Sequence, residues 1–268
     1  MAKIGKKPSA DDGQFAYVAG LTPVEKHGEI WLKRDDLYRA AGAPGGKART
    51  CWTLAQGAKG LVAASHRQSP QMSMVARVAA ALSIPCRIHT ATGAFTSQMD
   101  DAKAHGAKFV QHAPGYNGVI IARARVDVEK RVGWREIPFG MESQAAVDLT
   151  AAQTANVPKG VKRIVLAVGI GISMSGILRG LDLNKLGHIP VLAIAVGTPK
   201  PQKFINRWAP AMWQDRVDLR FAEEPYSKHV HADVDGVVLD PVYEAKCVKF
   251  LEPGDLLWVV GIRASSLS

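Results

Sequence analysis

Short apolar runs alternate with amphipathic stretches of about ten residues along most of the 268-residue chain, and that alternation leaves few folds open. Strands are expected over 29–33, 61–64, 86–90, 108–111, 134–138, 163–168, 191–196, 217–221 and 256–260. Helices are expected over 48–58, 71–82, 96–105, 118–130, 142–154, 201–208 and 243–250, with one more running from the glycine-rich stretch after 168 to position 181. Strands joined through helices pair in parallel, because each crossover returns the chain to the same edge in the same direction. The expected class is therefore α/β, with two parallel-sheet domains and helices on both faces. The larger domain is expected to be discontinuous, from 1–54 and 141–268, and the smaller α/β domain to span 55–140. A ligand belongs in the crevice at the carboxyl ends of the strands.

The bulk numbers exclude several classes. A hydrophobic content of 47% supplies apolar material for such cores, which rules out a disordered chain. The longest apolar runs are strand-sized, too short to cross a bilayer. Lys3, Lys6 and Lys7 are followed by Asp11 and Asp12 rather than by an apolar leader, so no secretion and a cytoplasmic location are expected. Cys51, Cys86 and Cys247 are far apart and read as buried small hydrophobes. His66, His89, His105, His112, His188, His229 and His231 form no metal-binding spacing, and no metal is expected. The net charge of +10 favours anionic ligands and leaves nucleic acid open as a partner, but the basic residues are dispersed and carry no zinc-finger or zipper spacing.

Four stretches can carry chemistry. Gly169-Ile170-Gly171-Ile172-Ser173-Met174-Ser175-Gly176 follows an apolar strand, where glycines let backbone amides and a helix N-terminus approach a phosphate; a tight turn without a ligand is the other reading. Lys47 follows Gly45 and Gly46 at a helix start, where the helix field and partial burial weaken protonation and leave an amine fit to form a Schiff base; an ordinary surface lysine is the alternative. In Ser65-His66-Arg67-Gln68-Ser69-Pro70-Gln71, Ser69 is placed to meet a carboxylate, to cap the next helix, or both. Asp240 is expected to cap the segment that opens Asp240-Pro241-Val242-Tyr243-Glu244-Ala245-Lys246, where Glu244 has either a structural or a functional role.

Taken in order, these stretches resemble one family, the tryptophan-synthase-like (fold type II) pyridoxal-phosphate enzymes, nearest the aminocyclopropane-carboxylate deaminase and D-cysteine desulfhydrase branch. Pro44-Gly45-Gly46-Lys47-Ala48-Arg49, preceded by Lys33-Arg34-Asp35-Asp36-Leu37, resembles the cofactor-lysine segment. Gln68-Ser69-Pro70-Gln71 resembles the loop that grips the substrate carboxylate, and the 169–176 stretch resembles the phosphate loop. Asp240 to Lys246 is similar to the segment whose Tyr-Glu pair reaches the active site. The resemblance implies pyridoxal 5'-phosphate held in the larger domain. Lys47 would be its Schiff-base lysine and would move the alpha proton, while Gly169, Gly171, Ser173, Ser175 and Gly176 would hold the phosphate. Glu244 would face the pyridine nitrogen, and Tyr243 would assist as nucleophile, acid or orienting hydroxyl. Gln68, Ser69 and Gln71 would bind substrate, with Ser69 close to the chemistry. The chain departs from the family at Gly46 and Pro70, where asparagine is usual, and at Ile170 and Ile172 in a less glycine-rich phosphate loop. It is also shorter than typical relatives.

The function implied is a lyase, deaminase or replacement enzyme acting at the alpha carbon of an amino acid or aminoacyl-bearing substrate, with an anionic or DNA-linked substrate as an extension suggested by the charge. The other reading is a catalytically diverged protein of the same fold that binds a phosphorylated ligand or nucleic acid. A small amine or amino acid is the expected partner, with a homodimer possible and no membrane.

Overall fold

In the computed structural model, residues 20–197 and 200–263 are described. Lys3, Lys6, Lys7, Asp11 and Asp12, on which the reading of the N-terminus rests, lie outside them. The chain opens with β1 (Val24–His27) and β2 (Ile30–Arg34), an antiparallel hairpin, then a two-residue ribbon, β3 (Arg39–Ala40) with β4 (Ala43–Pro44), and α1 (Gly46–Ala55). A run of β5 (Gly60–Ala64), α2 (Gln71–Ala81), β6 (Cys86–Ala91), α3 (Ser97–Ala104), β7 (Ala107–His112), α4 (Asn117–Glu129) and β8 (Trp134–Ile137) follows. Its four strands form one parallel sheet in the order β7-β6-β5-β8.

After α5 (Gln144–Ala152) the chain returns through β9 (Arg163–Val168), α6 (Ile172–Leu183), β10 (Val191–Ala195), α7 (Gln202–Trp208) and β11 (Val217–Phe221). A short hairpin of β12 (Asp233–Val234) and β13 (Val237–Val238) precedes β14 (Asp255–Val259). The second sheet runs β1-β2-β14-β9-β10-β11, all parallel except the β1 edge. The fold is thus α/β, with parallel sheets flanked by helices.

The apolar strands are explained by burial on both faces, which removes the alternation of a half-exposed strand. In the larger sheet Ile164, Leu166 and Val168 of β9 pack with Trp258 and the apolar face of α6. Val165 and Ala167 point the other way, against Leu32, Leu257 and the 239–251 segment. In the smaller sheet Leu61 and Ala63 face α1 and α2, while Val62 and Ala64 face Ile120 and Ala124 of α4. Each fully buried branched side chain contributes roughly 1.5–3 kcal/mol, so neither sheet tolerates a shift of register. Cys51, Cys86 and Cys247 are buried free thiols.

The ribbon β3–β4 and the hairpin β12–β13 are not among the expected strands, and two further features differ from the sequence reading. The β1 edge strand, Val24-Glu25-Lys26-His27, carries charge and shows no apolar alternation, so the sequence pattern does not reveal it; Gly28 at φ +58° makes the turn into β2. The helix expected over 243–250 is a 3-10 helix over Glu244–Phe250. Tyr243, at φ −112° and ψ −83°, prevents a regular helical start, and the side chains are pinned at both sides: Glu244 accepts from the Val260 amide at 3.0 Å, and the Lys246 amine donates to the Pro225 carbonyl at 2.8 Å. The tighter winding places Glu244 and Cys247 in line on the buried side.

Candidate active site

The carboxyl ends of β9 and β14 lie side by side, and three of the four chemistry-bearing stretches meet there. Val260, just past β14, ties two of them together. Its carbonyl accepts from the Gly46 amide at 2.8 Å, fixing the start of α1 and hence Lys47. Its own amide donates to Glu244 Oε1 at 3.0 Å. The third stretch is the turn from β9 into α6. One open cleft joins them, with about 900 Å³ of empty space including its mouth; Lys47, Gly169, Gly171, Ser173, Tyr243 and Glu244 all line it.

The glycine turn is shaped for an anion. Gly171 caps α6 in the left-handed conformation at φ +87°, and the amides of the first helical turn have no partner within the helix. Ser173, in that first turn, also lines the cleft. Ser175 and Gly176 are turned away from it: the Ser175 hydroxyl donates back to the Gly171 carbonyl at 3.0 Å, and Gly176 packs against Thr150 of α5. Adding a Cβ at Gly171 would force a strained backbone and overlap Ile205. Gly171→Ala is therefore expected to destabilise the protein by about 2–5 kcal/mol, read as a lower Tm in thermal unfolding. An unchanged Tm would show that the turn is slack.

The titratable groups are perturbed in a consistent direction. Burial lowers the Lys47 ammonium from its ordinary value, and the nearby Glu244 charge opposes the shift only partly. Burial also pushes the Glu244 carboxyl up; Asp240 adds to this, while backbone N–H donors pull back. Both shifts favour the uncharged form of the group. The Tyr243 hydroxyl is raised well above 10, chiefly by burial, and its ring meets Tyr226 edge-on at 5.9 Å. Asp240 caps the Tyr-Glu segment, accepting from the amides of Val242 at 2.9 Å and Tyr243 at 3.0 Å. It is locked in turn by Arg263, whose Nε donates at 2.9 Å.

The fourth stretch sits differently. Ser69 Oγ accepts from the Gln71 amide at 3.3 Å, a capping contact, and the Gln68 carbonyl accepts from Arg263 at 3.4 Å. The Gln71 side chain is buried and engaged: it donates to the Pro138 carbonyl at 2.9 Å and accepts from the Gly140 amide at 2.7 Å. Of this loop and the start of α2, Pro70, Ser73, Met74 and Arg77 line the cleft, while Gln68, Ser69 and Gln71 do not. Gly46, a departure from the resembled family, has a local cause: a Cβ there would come within 2.7 Å of the Asp35 carboxylate, which is already bound by Thr22 and Trp258.

Arg77 and Gln98 also line the cleft, and the sequence reading names neither. Gln98 follows Thr96-Ser97, which reads as an ordinary helix start, and Arg77 falls within the mostly apolar helix α2. Only the packing of α2 and α3 brings them to the site.

Compared by sequence, the chain matches no protein-family model and no curated protein. Compared by structure, it is similar to an ACC deaminase homologue, with a TM-score of 0.74, 19% identity and coverage of 92% of this chain and 91% of that one. It is also similar to a threonine deaminase from T.th., with a TM-score of 0.62, 16% identity and coverage of 92% and 93%. A hydrogen sulfide-producing enzyme of Fusobacterium nucleatum matches with a TM-score of 0.63, 10% identity and coverage of 92% and 97%. Likeness over the full length of these chains, at identities this low, shows a shared architecture: the chain has the fold of the fold type II enzymes.

Proposed function

We propose that the protein is a pyridoxal-phosphate-dependent enzyme acting at the alpha carbon of an amino acid or aminoacyl-bearing substrate, by deamination, elimination or replacement. The observation that carries this reading is the single cleft in which a lysine with a weakened ammonium, an anion-shaped glycine turn and a buried carboxyl of raised pKa meet. The residues fit the cofactor: Gly171 turns the chain left-handed into α6, and the donors lining the cleft there are the backbone amides of the first helical turn together with Ser173.

When bound, the cofactor supplies an aldehyde that condenses with amines and a ring that withdraws electrons from the alpha carbon. Lys47 would offer the amine that such a condensation requires, and its Nζ would be the base placed to take the alpha proton. Amides at Gly169, Gly171 and the start of α6 would hold the phosphate with Ser173, while Ser175 and Gly176 support the turn from behind. Glu244, its geometry held by the Val260 amide, would share a proton with the ring nitrogen. Tyr243 stays a hydroxyl at neutral pH and serves as a donor rather than as a phenolate. Gln68, Ser69 and Gln71 shape the loop for the substrate carboxylate, Gln71 as the brace that ties it to 138–140.

The test is optical. Purified protein mixed with pyridoxal phosphate is expected to develop the visible band of a protein-bound Schiff base, red-shifted from the free aldehyde. Absence of that band in the intact protein contradicts the reading.

A further inference from the structure

One wall of the cleft is built from Pro70, Ser73, Met74, Arg77 and Gln98. Its cation, Arg77, is already committed. Arg77 Nε donates to Asp101 Oδ2 at 2.9 Å, a second guanidinium N–H reaches the other carboxylate oxygen, and the Ser73 hydroxyl donates to the same group. Burial pushes the Asp101 carboxyl up, but the hydrogen bonds from Arg77 and Ser73 outweigh it and hold it below its ordinary value, so the pair stays ionised. Among the described residues, no unpaired charge is left on this wall.

Gln98 is the exception to this completeness. It sits in the first turn of α3, 2% exposed, and neither its amide nitrogen nor its amide oxygen has a hydrogen-bond partner among the described residues. The cap of that helix does not use it, since Thr96 accepts from the Met99 amide. Leaving a buried amide unpaired forfeits its hydration with nothing in return, and buried polar groups in folded proteins almost always find partners. A leucine would fill the same volume without this cost. A sealed amide in the wall of a ligand cleft is the signature of a group whose partner arrives with the ligand.

We propose that Gln98 is the polar specificity determinant of the cleft, receiving a substrate side chain that ends in an uncharged group able both to donate and to accept, a carboxamide or a hydroxyl. The primary amide presents two N–H donors and a carbonyl acceptor, which matches such a group in both directions. A charged terminus would be stripped of water opposite a wall whose described residues offer no free counter-ion. Met74, Pro70, Ile170, Ile172 and Ile262 supply an apolar lining for the stem of the side chain. This inference rests on the reading of the cleft as an amino-acid site.

The experiment is calorimetric titration of the protein incubated with pyridoxal phosphate, using both enantiomers of glutamine, homoserine, norleucine and glutamate, on the wild type and on Gln98→Leu. Thermal unfolding of both proteins without ligand runs in parallel. In the wild type the better enantiomer of glutamine or homoserine is expected to bind at least about tenfold more tightly than norleucine or glutamate. Gln98→Leu is expected to bring that preference within about twofold. Without ligand, Gln98→Leu is expected to unfold at a Tm higher by about 2–5 °C, because the unpaired amide is gone. A Tm that falls shows that the amide is a paired structural group, and a flat ranking in the wild type shows that the wall does not select; either overturns the proposal. Failure of the cofactor reading appears separately, as a missing visible band, and the Tm comparison decides the role of Gln98 even then.

Discussion

Lys47→Ala is expected to abolish the visible cofactor band and to lower turnover by at least about a thousandfold, while leaving the protein as stable as before or more so. The loss follows from the geometry. Lys33 and Lys246 are buried and their ammonium pKa values are likewise lowered, that of Lys33 to about 8, so a weakened charge alone does not single out one lysine. Their amines are engaged by the Thr22 and Pro225 carbonyls, and neither lines the cleft. Lys47 alone among these three reaches the space beside the glycine turn. The retained stability follows from the same burial: removing an amine whose charged form is penalised by desolvation removes a cost of folding. Absorption spectra and thermal unfolding of the variant, measured together, separate loss of the imine from loss of the fold. A retained band would move the chemistry to another residue.

Glu244→Gln is expected to keep the cofactor and lose about 10²–10⁴ in turnover. The glutamine oxygen still accepts from the Val260 amide, so the link between the end of β14 and the Tyr-Glu segment survives, but the side chain could no longer exchange a proton with the ring. Stability gives a second readout with a definite sign. The Glu244 carboxyl titrates above its ordinary value of 4.5 in the folded state, so above that pH the folded protein holds a proton that the unfolded chain has released. Stability from this group is complete below pH 4.5 and is lost as pH rises through the folded value. The glutamine variant has no such loss, so its Tm is expected to gain on that of the wild type as pH rises from 4.5. A difference between the two that does not change with pH would show that Glu244 carries no raised pKa.

Much of this arrangement was legible before folding. Strands buried on both faces, such as β9 and β10, are apolar at every position but the first of β9, and their spacing by helices dictates parallel pairing. Lys47, the glycine turn and the Tyr-Glu pair are signalled by neighbours in the chain: glycines before a helix, and an aspartate with a proline at a turn. Other features depend on partners far away in sequence. The reason for Gly46 lies in Asp35 and that side chain's bond to Trp258, more than two hundred residues on. Gln98 has the local chemistry of a helix start and becomes notable only when α3 brings an unpaired amide to the cleft. The 169–176 stretch reads as one phosphate loop in sequence, yet the helix brings Ser173 to the cleft and turns Ser175 back onto the helix backbone, a separation that the order of residues alone does not display.

The most direct test is to load the protein with pyridoxal phosphate, reduce it with borohydride, and locate the resulting stable amine by peptide mass spectrometry. The phosphopyridoxyl group is expected on the peptide containing Lys47 and nowhere else at stoichiometric yield. Labelling of Lys33 or Lys246 instead, or scattered over surface lysines, would contradict a cleft built to present this one amine to a phosphate-anchored aldehyde.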